Sequence, residues 1–323
     1  MNKAGGRVLF SIVLMIVVLF IYTLWDNNQI KVVNQEILIE NLPDDLDDFK
    51  IVQITDLHEK EFGENQVKLI KEINSIDYDT IVFTGDMLIS GSSRNYQPFY
   101  SLIDGIHKKD HALYVPGNSD PSSYVVDGKN QLKKHEFIEG MEARGVKLLE
   151  SIYTVEEGSF NIQIIDFELS SLDPQKRAAI PTKAKSSLYV QHQNQLLAEM
   201  SMLDSAIDTD VIIALNHYPV VDAKIDQLKS DPNRKFRDYD LIMAGHYHGG
   251  QIRLPFIGAL FVPEPYYERS GLFPPQNRVK GLWEYKKTKQ YVSAGLGSSK
   301  TVSFLKFRLF NTPEINVLTL KKK

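Results

Sequence analysis

Five short polar clusters, spread from residue 56 to residue 248, hold the side chains best suited to chemistry. They are Asp56-Leu57-His58, Gly85-Asp86, Gly117-Asn118, Asn216-His217 and Gly245-His246-Tyr247-His248. Each follows a short apolar run that reads as a buried strand: residues 51–55, 80–84, 112–115, 211–215 and 241–244 in turn. Carboxylates, an amide and imidazoles thereby gather at strand C-termini, where open α/β sheets place their ligands. Oxygen and nitrogen donors grouped in this way suit one or two divalent transition metals. The chain has no cysteine, so no disulfide framework is possible and a metal site must be built from these donors.

In order and type, the clusters resemble the calcineurin-like metallophosphoesterases, whose pattern runs Asp-x-His, Gly-Asp, Gly-Asn-His, His, Gly-His-x-His. The resemblance runs from about Phe49 to the C-terminus. Within it, residues 245–255 and 310–315 look like a bacterial branch whose members are often exported or membrane-tethered and include enzymes acting on phosphorylated lipids. A lone Asp-x-His or Gly-Asp is a common accident. Here, four of the eight histidines fall in the right slots in the right order.

The resemblance implies a four-layer α/β/β/α sandwich and a hydrolase acting on phosphoester bonds with two divalent ions. Manganese, iron and zinc all suit such donors. Carried over by position, Asp56, His58 and His248 hold one ion, Asn118, His217 and His246 hold the second, and Asp86 bridges them. Such a pair binds a phosphoryl oxygen and generates a hydroxide nucleophile near neutral pH. Asn118 could also orient a phosphoryl oxygen.

One position departs from the pattern. Where the family has Gly-Asn-His, this chain reads Gly117-Asn118-Ser119-Asp120, and the missing histidine is the one thought to protonate the leaving oxygen. A serine hydroxyl is a poor acid, and a positioned general acid contributes roughly 100- to 10,000-fold in rate. Three consequences compete. The leaving group could be stable without protonation, as in a phosphoanhydride; UDP-diacylglucosamine pyrophosphatases of the same superfamily likewise lack histidine at this place. Another residue could supply the proton, with Asp120, His111, His135 and His192 as candidates. Or the chain could be a slow or non-catalytic receptor or scaffold for a phosphorylated ligand.

The N-terminus bears on where the chemistry happens. Residues 8–25 carry no charge, and as a helix they would span about 27 Å, the thickness of a bilayer core. Lys3 and Arg7 precede the run and Asp26 follows it, which keeps residues 1–7 cytoplasmic and the bulk of the chain outside. A cleaved signal peptide would have a shorter apolar core and a small-residue site. Trp25-Asp26-Asn27-Asn28-Gln29 offers no such site, so the segment reads as an uncleaved, single-pass signal anchor in the cell membrane. Residues 26–48 then form an edge strand and linker, and 49–323 the metallophosphoesterase domain. The expected partners are the membrane and a phosphorylated small-molecule or lipid substrate. With 37 basic against 41 acidic residues, no nucleic-acid footprint is expected.

The elements that must position the clusters follow from periodicity. Residues 29–40 alternate like an edge strand, and 41–48 form an acidic turn. Residues 62–73 and 188–203 have helical spacing, as do 131–144, which carry His135 and end at Gly145. Strand-helix-strand order implies right-handed crossovers and parallel neighbours. Residues 159–168 read as a strand, and 170–187 as a loop walling the substrate pocket. The apolar and aromatic stretches 256–263 and 265–267 could be core, a greasy pocket or a membrane-facing rim. Asp238 and Asp240 read as surface turn residues. Residues 295–301 superficially match a phosphate loop but lack Gly directly before Lys300, and the chain from Phe304 alternates like a strand.

Overall fold

The computed structural model describes residues 3–158, 160–173, 187–205, 211–299 and 306–323. Helix α1 (Lys3–Asp26) contains the uncharged run and is long and apolar enough to cross a membrane. Its apolar side chains stand largely exposed.

Two six-stranded sheets follow. In the first, β1 (Lys31–Ile39), β16 (Glu314–Lys322), β2 (Lys50–Ile54), β3 (Thr80–Phe83), β4 (Ala112–Tyr114) and β7 (Lys147–Leu148) lie in that order. Strands β2, β3, β4 and β7 are parallel, whereas β16 runs antiparallel to β2 and pairs with β1 at the edge. In the second, the order is β14 (Gly281–Tyr285), β15 (Thr288–Val292), β11 (Leu241–Ala244), β10 (Val211–Leu215), β9 (Phe160–Asp166) and β8 (Ile152–Glu157). Strands β5 (Tyr124–Val126) and β6 (Leu132–Lys134) form a separate hairpin, as do β12 (Arg253–Leu254) and β13 (Gly258–Ala259).

Alternation of side chains across each strand builds the layers. In β2, Val52 and Ile54 pack outward on α2 (Val67–Asn74), α3 (Gln97–Gly105) and α4 (Glu136–Glu142), through Leu69, Phe99 and Ile138. Ile51 faces the other way and meets Ile213 and Met243 of the second sheet. On that sheet, Ala214 and Ile242 turn outward onto Phe167 of the short α5 (Phe167–Ser170), Leu197 of α6 (Ser187–Glu199) and Ile225 of α7 (Asp222–Ser230). The result is the expected α/β/β/α sandwich. Each fully buried Leu, Ile or Phe in it contributes roughly 1.5–3 kcal/mol.

Several boundaries differ from the sequence reading. Helix α2 begins at Val67, not Phe62, because Asn65 and Gln66 adopt left-handed backbone and the Gln66 side chain accepts from the Phe62 N–H at 3.0 Å. The segment 131–144 is not one helix. Asp127 accepts from the Lys129 and Gln131 amides in a turn, β6 takes residues 132–134, and His135 caps α4 by accepting from Phe137 N–H. Most of the 170–187 loop lies outside the described residues, as does the start of the strand expected from Phe304. From Lys306 onward, Leu309 makes only an isolated bridge to Ile252, and the strand begins at Glu314. Asp240 is no surface turn residue: its carboxylate accepts from the Ile212 amide at 2.9 Å and ties β11 to β10. Asp238 is exposed as expected.

The end of α1 is clamped to the domain. Asn27 exchanges two hydrogen bonds with the Arg308 backbone at 2.7 and 2.8 Å, and Thr312 Oγ1 donates to Asp26 at 2.6 Å. Lys60 Nζ donates to the Asn27 carbonyl just beyond the helix C-terminus, and burial lowers its pKa to about 7. The buried Arg308 side chain donates to the Gly297 carbonyl, and Gly297 N–H donates to the Asp56 carbonyl. Helix α1 is thus tied to the loop that carries the first cluster.

Candidate metal centre

The five clusters converge where the two sheets meet. Strands β2, β3 and β4 of the first sheet deliver Asp56, Asp86 and Asn118, while β10 and β11 of the second deliver His217 and His246. Asp56, His58, Asp86, His246 and His248 all have φ between 47° and 69°. Left-handed backbone in non-glycine residues is costly and persists where the surroundings over-determine it, commonly at functional sites. Two of the glycines explain themselves by close approach. A Cβ on Gly117 would lie 2.2 Å from Asp86 Oδ1, and one on Gly245 would lie 2.5 Å from Asp56 Oδ2.

The donors form two groups. Asp56, His58 and His248 make one: His248 Nε2 lies 3.5 Å and His58 Nε2 4.0 Å from Asp56 Oδ1, with 3.4 Å between the two imidazole nitrogens. Asp86, His217 and His246 make the other, with Asn118 Oδ1 3.2 Å from His217 Nε2 and His246 Nδ1 also at 3.2 Å. Asp86 Oδ2 stands between the groups, 3.4 Å from His58 Nε2 and 3.5 Å from His217 Nε2. The Asp86 carboxylate lies within reach of both groups.

These spacings fit divalent ions. Two donors about 2.1 Å from a tetrahedral ion are separated by about 3.4 Å, the edge of the polyhedron. Facing imidazole nitrogens at that distance repel unless a proton or a metal cation lies between them. The second hydrogen bonds agree: His58 Nδ1 meets the Leu88 carbonyl at 3.0 Å and His217 Nδ1 the Thr84 carbonyl at 2.8 Å, which in the neutral ring puts the proton on Nδ1 and turns the Nε2 lone pair to the cluster. Asp56 Oδ1 is buried with no hydrogen-bond partner, an arrangement that costs free energy without a cation.

The charges point the same way. Burial raises the Asp56 pKa, so a positive charge beside this carboxylate stabilises its ionised form. Burial would also raise Asp86, but the His217 and His58 imidazoles outweigh it and hold the carboxyl well below its usual range. Burial works against a charged His217, yet Asp86 overrides it and lifts the imidazole to about 9. Burial keeps His246 neutral down to about 3 and pushes His248 well below the ordinary histidine value. Neutral imidazoles and ionised carboxylates are the forms that bind metal, so a bound cation would displace the His217 proton and favour the ionised form of Asp56.

The candidates for a leaving-group acid are placed elsewhere. Ser119 Oγ donates to Asp86 Oδ2 at 3.0 Å, and its amide donates to Asp86 Oδ1 at 2.7 Å, so this residue steadies the shared carboxylate. Asp120 is buried and accepts from the amides of Asp86, Gly117 and Leu88 at 2.7–3.0 Å. Its carboxylate braces the two loops that carry Asp86 and Asn118. His111 bonds Tyr153, His135 caps α4, and His192 is held by Glu150 at 2.8 Å.

Two cavities flank the donors. One of about 410 Å³ includes Tyr124, Glu150, His192, Arg234, His217 and Tyr218. The other, about 730 Å³, reaches Asp86 and His246 and is walled by Ile252, Leu260, Phe261 and Leu309. Tyr218 lines both, and its ring lies 4.4 Å from that of His246. Burial raises the Tyr218 pKa, so its phenol stays protonated and able to donate. Sequence reasoning missed this residue; its only signal is adjacency to His217.

Residues 49–250 match the family model described as calcineurin-like phosphoesterase. Among curated proteins, the chain is 27% identical over 287 residues to the uncharacterized metallophosphoesterase YkuE of Bacillus subtilis, covering 87% of this chain and 82% of that one. It is 25% identical over 320 residues to the uncharacterized metallophosphoesterase Cj0846 of Campylobacter jejuni, covering 98% and 71%. It is also 27% identical over 277 residues to the UDP-2,3-diacylglucosamine pyrophosphatase LpxG of Chlamydia trachomatis, covering 79% and 80%. With its strand-end donors and its sandwich of two sheets, the chain belongs to the calcineurin-like phosphoesterases.

Proposed function

We propose that this protein is a membrane-anchored, metal-dependent phosphohydrolase that cleaves a phosphoanhydride in a lipid-tailed substrate on the extracytoplasmic face. The observation that carries the reading is the convergence of seven donors around the single carboxylate of Asp86. Asp56, His58 and His248 would hold one divalent ion, Asn118, His217 and His246 the second, and Asp86 both. When bound, such ions supply Lewis acidity toward a water and a phosphoryl oxygen. The chain itself orients the reacting group. Asn118, at the mouth of the site, can donate its amide N–H to a phosphoryl oxygen, and the protonated Tyr218 can do the same from the other side.

The leaving group follows from the acids. Ser119 is engaged by Asp86, Asp120 by three amides, and His111 and His135 serve structural contacts; His192 lines the smaller cavity but its Nε2 is held by Glu150, so the departing oxygen has no free imidazole acid beside it among these candidates. An anhydride, which releases a stable phosphate, loses little by this, whereas an alkyl ester loses most of the roughly 100- to 10,000-fold general-acid contribution. The similarity to a protein named for a lipid pyrophosphate supports the same substrate class. Lys3 and Arg7 before the apolar helix, and Asp26 after it, support the outward orientation.

The test uses the full chain purified in detergent. Metal analysis is expected to find two divalent ions per chain. An acylated nucleotide-sugar anhydride is expected to be cleaved at least 100-fold faster than an alkyl phosphodiester of similar size. Equal rates on the two would refute the leaving-group account, and protein that takes up no metal would refute the enzyme.

A further inference from the structure

The ribbon of β12 and β13 ends in a tip, residues 255–257, with Phe256 fully exposed and Ile257 about half exposed. Phe256 is held at φ 66°, a conformation that a bulky residue adopts only under constraint. Two bridges extend the ribbon. Ile252 pairs in parallel with Leu309, and Phe261 pairs antiparallel with Leu272. Four chain segments therefore lie side by side, and each presents an exposed apolar side chain: Phe310, Phe256, Phe261 and Leu272, with Phe273 next to the last. Exposed apolar side chains gathered on neighbouring segments of a folded domain mark an interaction site.

Its neighbour identifies the partner. Because Ile252 and Leu309 run parallel, the chain leaves Ile252 for the tip in the direction in which it leaves Leu309 for Phe310. The Phe310 ring lies 5.4 Å from Tyr22, on the last turns of α1, and the same stretch is clamped to Asn27 and Asp26. The tip is thus directed to the side on which the apolar helix leaves the domain. Ile252, Leu260, Phe261 and Leu309 also wall the 730 Å³ cavity that reaches Asp86 and His246.

We propose that this ribbon is a second membrane contact: Phe256, Ile257 and Leu272 seat in the outer leaflet beside the emergence of α1, and the apolar cavity opens onto the acyl chains. The proposal rests on α1 crossing the bilayer, as in the reading above. A tail can then pass from leaflet to cavity while its phosphate reaches the donors, without leaving an apolar environment.

The absence of cysteine makes a direct test simple. Single substitutions Ile16→Cys, Phe256→Cys, Leu272→Cys and Glu157→Cys are labelled with an environment-sensitive fluorophore in the full chain. The labelled proteins are then reconstituted in phosphatidylcholine nanodiscs with or without lipids spin-labelled at acyl carbon 5. Glu157, the last residue of β8, lies at the opposite end of the second sheet from the donors. Labels at 16, 256 and 272 are expected to lose at least half of their emission to the spin label, and the label at 157 less than a tenth. Quenching at 16 with none at 256 and 272 would overturn the proposal and leave the anchor intact. No quenching at 16 would remove the anchor and the proposal with it. A label at 256 that is shielded but unquenched would assign the ribbon to a protein partner instead.

Discussion

Asp86→Asn preserves the side chain's outline and removes the charge that the two donor groups share. The scale of the effect follows from His217, whose imidazole is raised from 6.5 to about 9 against burial, chiefly by Asp86, with Asp56 and the Thr84 carbonyl adding to it. At about 1.4 kcal/mol per pH unit, that is on the order of 3 kcal/mol. A pKa raised by folding gives stability that is complete below the unfolded value, near pH 6.5, and is lost as pH climbs through about 9. Chelator-treated wild type should therefore exceed the variant at pH 6 by an amount on the order of 3 kcal/mol, with Asp56 and Thr84 retaining part of the His217 shift in the variant, and the gap should narrow by pH 10. In a domain of this size the gap corresponds to roughly 5–10 °C in Tm, readable by scanning fluorimetry in detergent at a series of pH values. In metal-supplemented buffer, the variant should hold fewer than two ions per chain and show no hydrolysis. A stability gap that stays constant from pH 6 to pH 10 would show that Asp86 does not act through His217. A full complement of two ions in the variant would remove it as the shared ligand.

The other predictions concern proton placement. Ser119→His restores an acid beside the donors, and its rate on alkyl esters should rise by roughly 100-fold or more while the anhydride rate changes little. Steady-state kinetics on both substrates would expose the error if the two moved together, and silence on both with metal bound would favour a phospho-ligand receptor. Asp166, on the wall of the smaller cavity, caps α5 by accepting from Leu169 N–H at 2.8 Å, and burial raises its pKa to about 7. Its contribution to stability is present below about pH 4 and lost as pH rises to about 7. Asp166→Asn should flatten that slope in melts between pH 4 and pH 8, and an unchanged slope would contradict the assignment.

The donors were legible in the sequence for a physical reason. Parallel strands buried on both faces read as unbroken apolar runs, and a charged or imidazole side chain directly after such a run can only lie at the sheet's C-terminal edge. Asp56, Asp86, Asn118, His217 and His246 are all read in this way. The crossover helices α2 and α6 and the edge strand β1 were legible too, because their spacing is local. What could not be read was any relation set by distant pairing. Nothing in residues 314–322 says that β16 inserts between β1 and β2, or that Thr312 and Arg308 meet the end of α1. The strand β6 was hidden because Lys133 and Lys134 interrupt the apolar period, and its signal was the Asp127-Gly128-Lys129-Asn130 turn.

Asp120 shows the limit most sharply. A carboxylate beside the donors looks like an acid in sequence, and its burial raises its pKa as a general acid requires. Yet its lone pairs are taken by the amides of Asp86, Leu88 and Gly117, the groups left unpaired when the Asp86 and Asn118 loops bend sharply to present their donors. Buried N–H groups must find acceptors, and a strained loop has no neighbouring strand to provide them. A polar residue that repairs the backbone around a site is therefore bound to sit next to the residues that act in it. Only the direction of its hydrogen bonds tells the two apart.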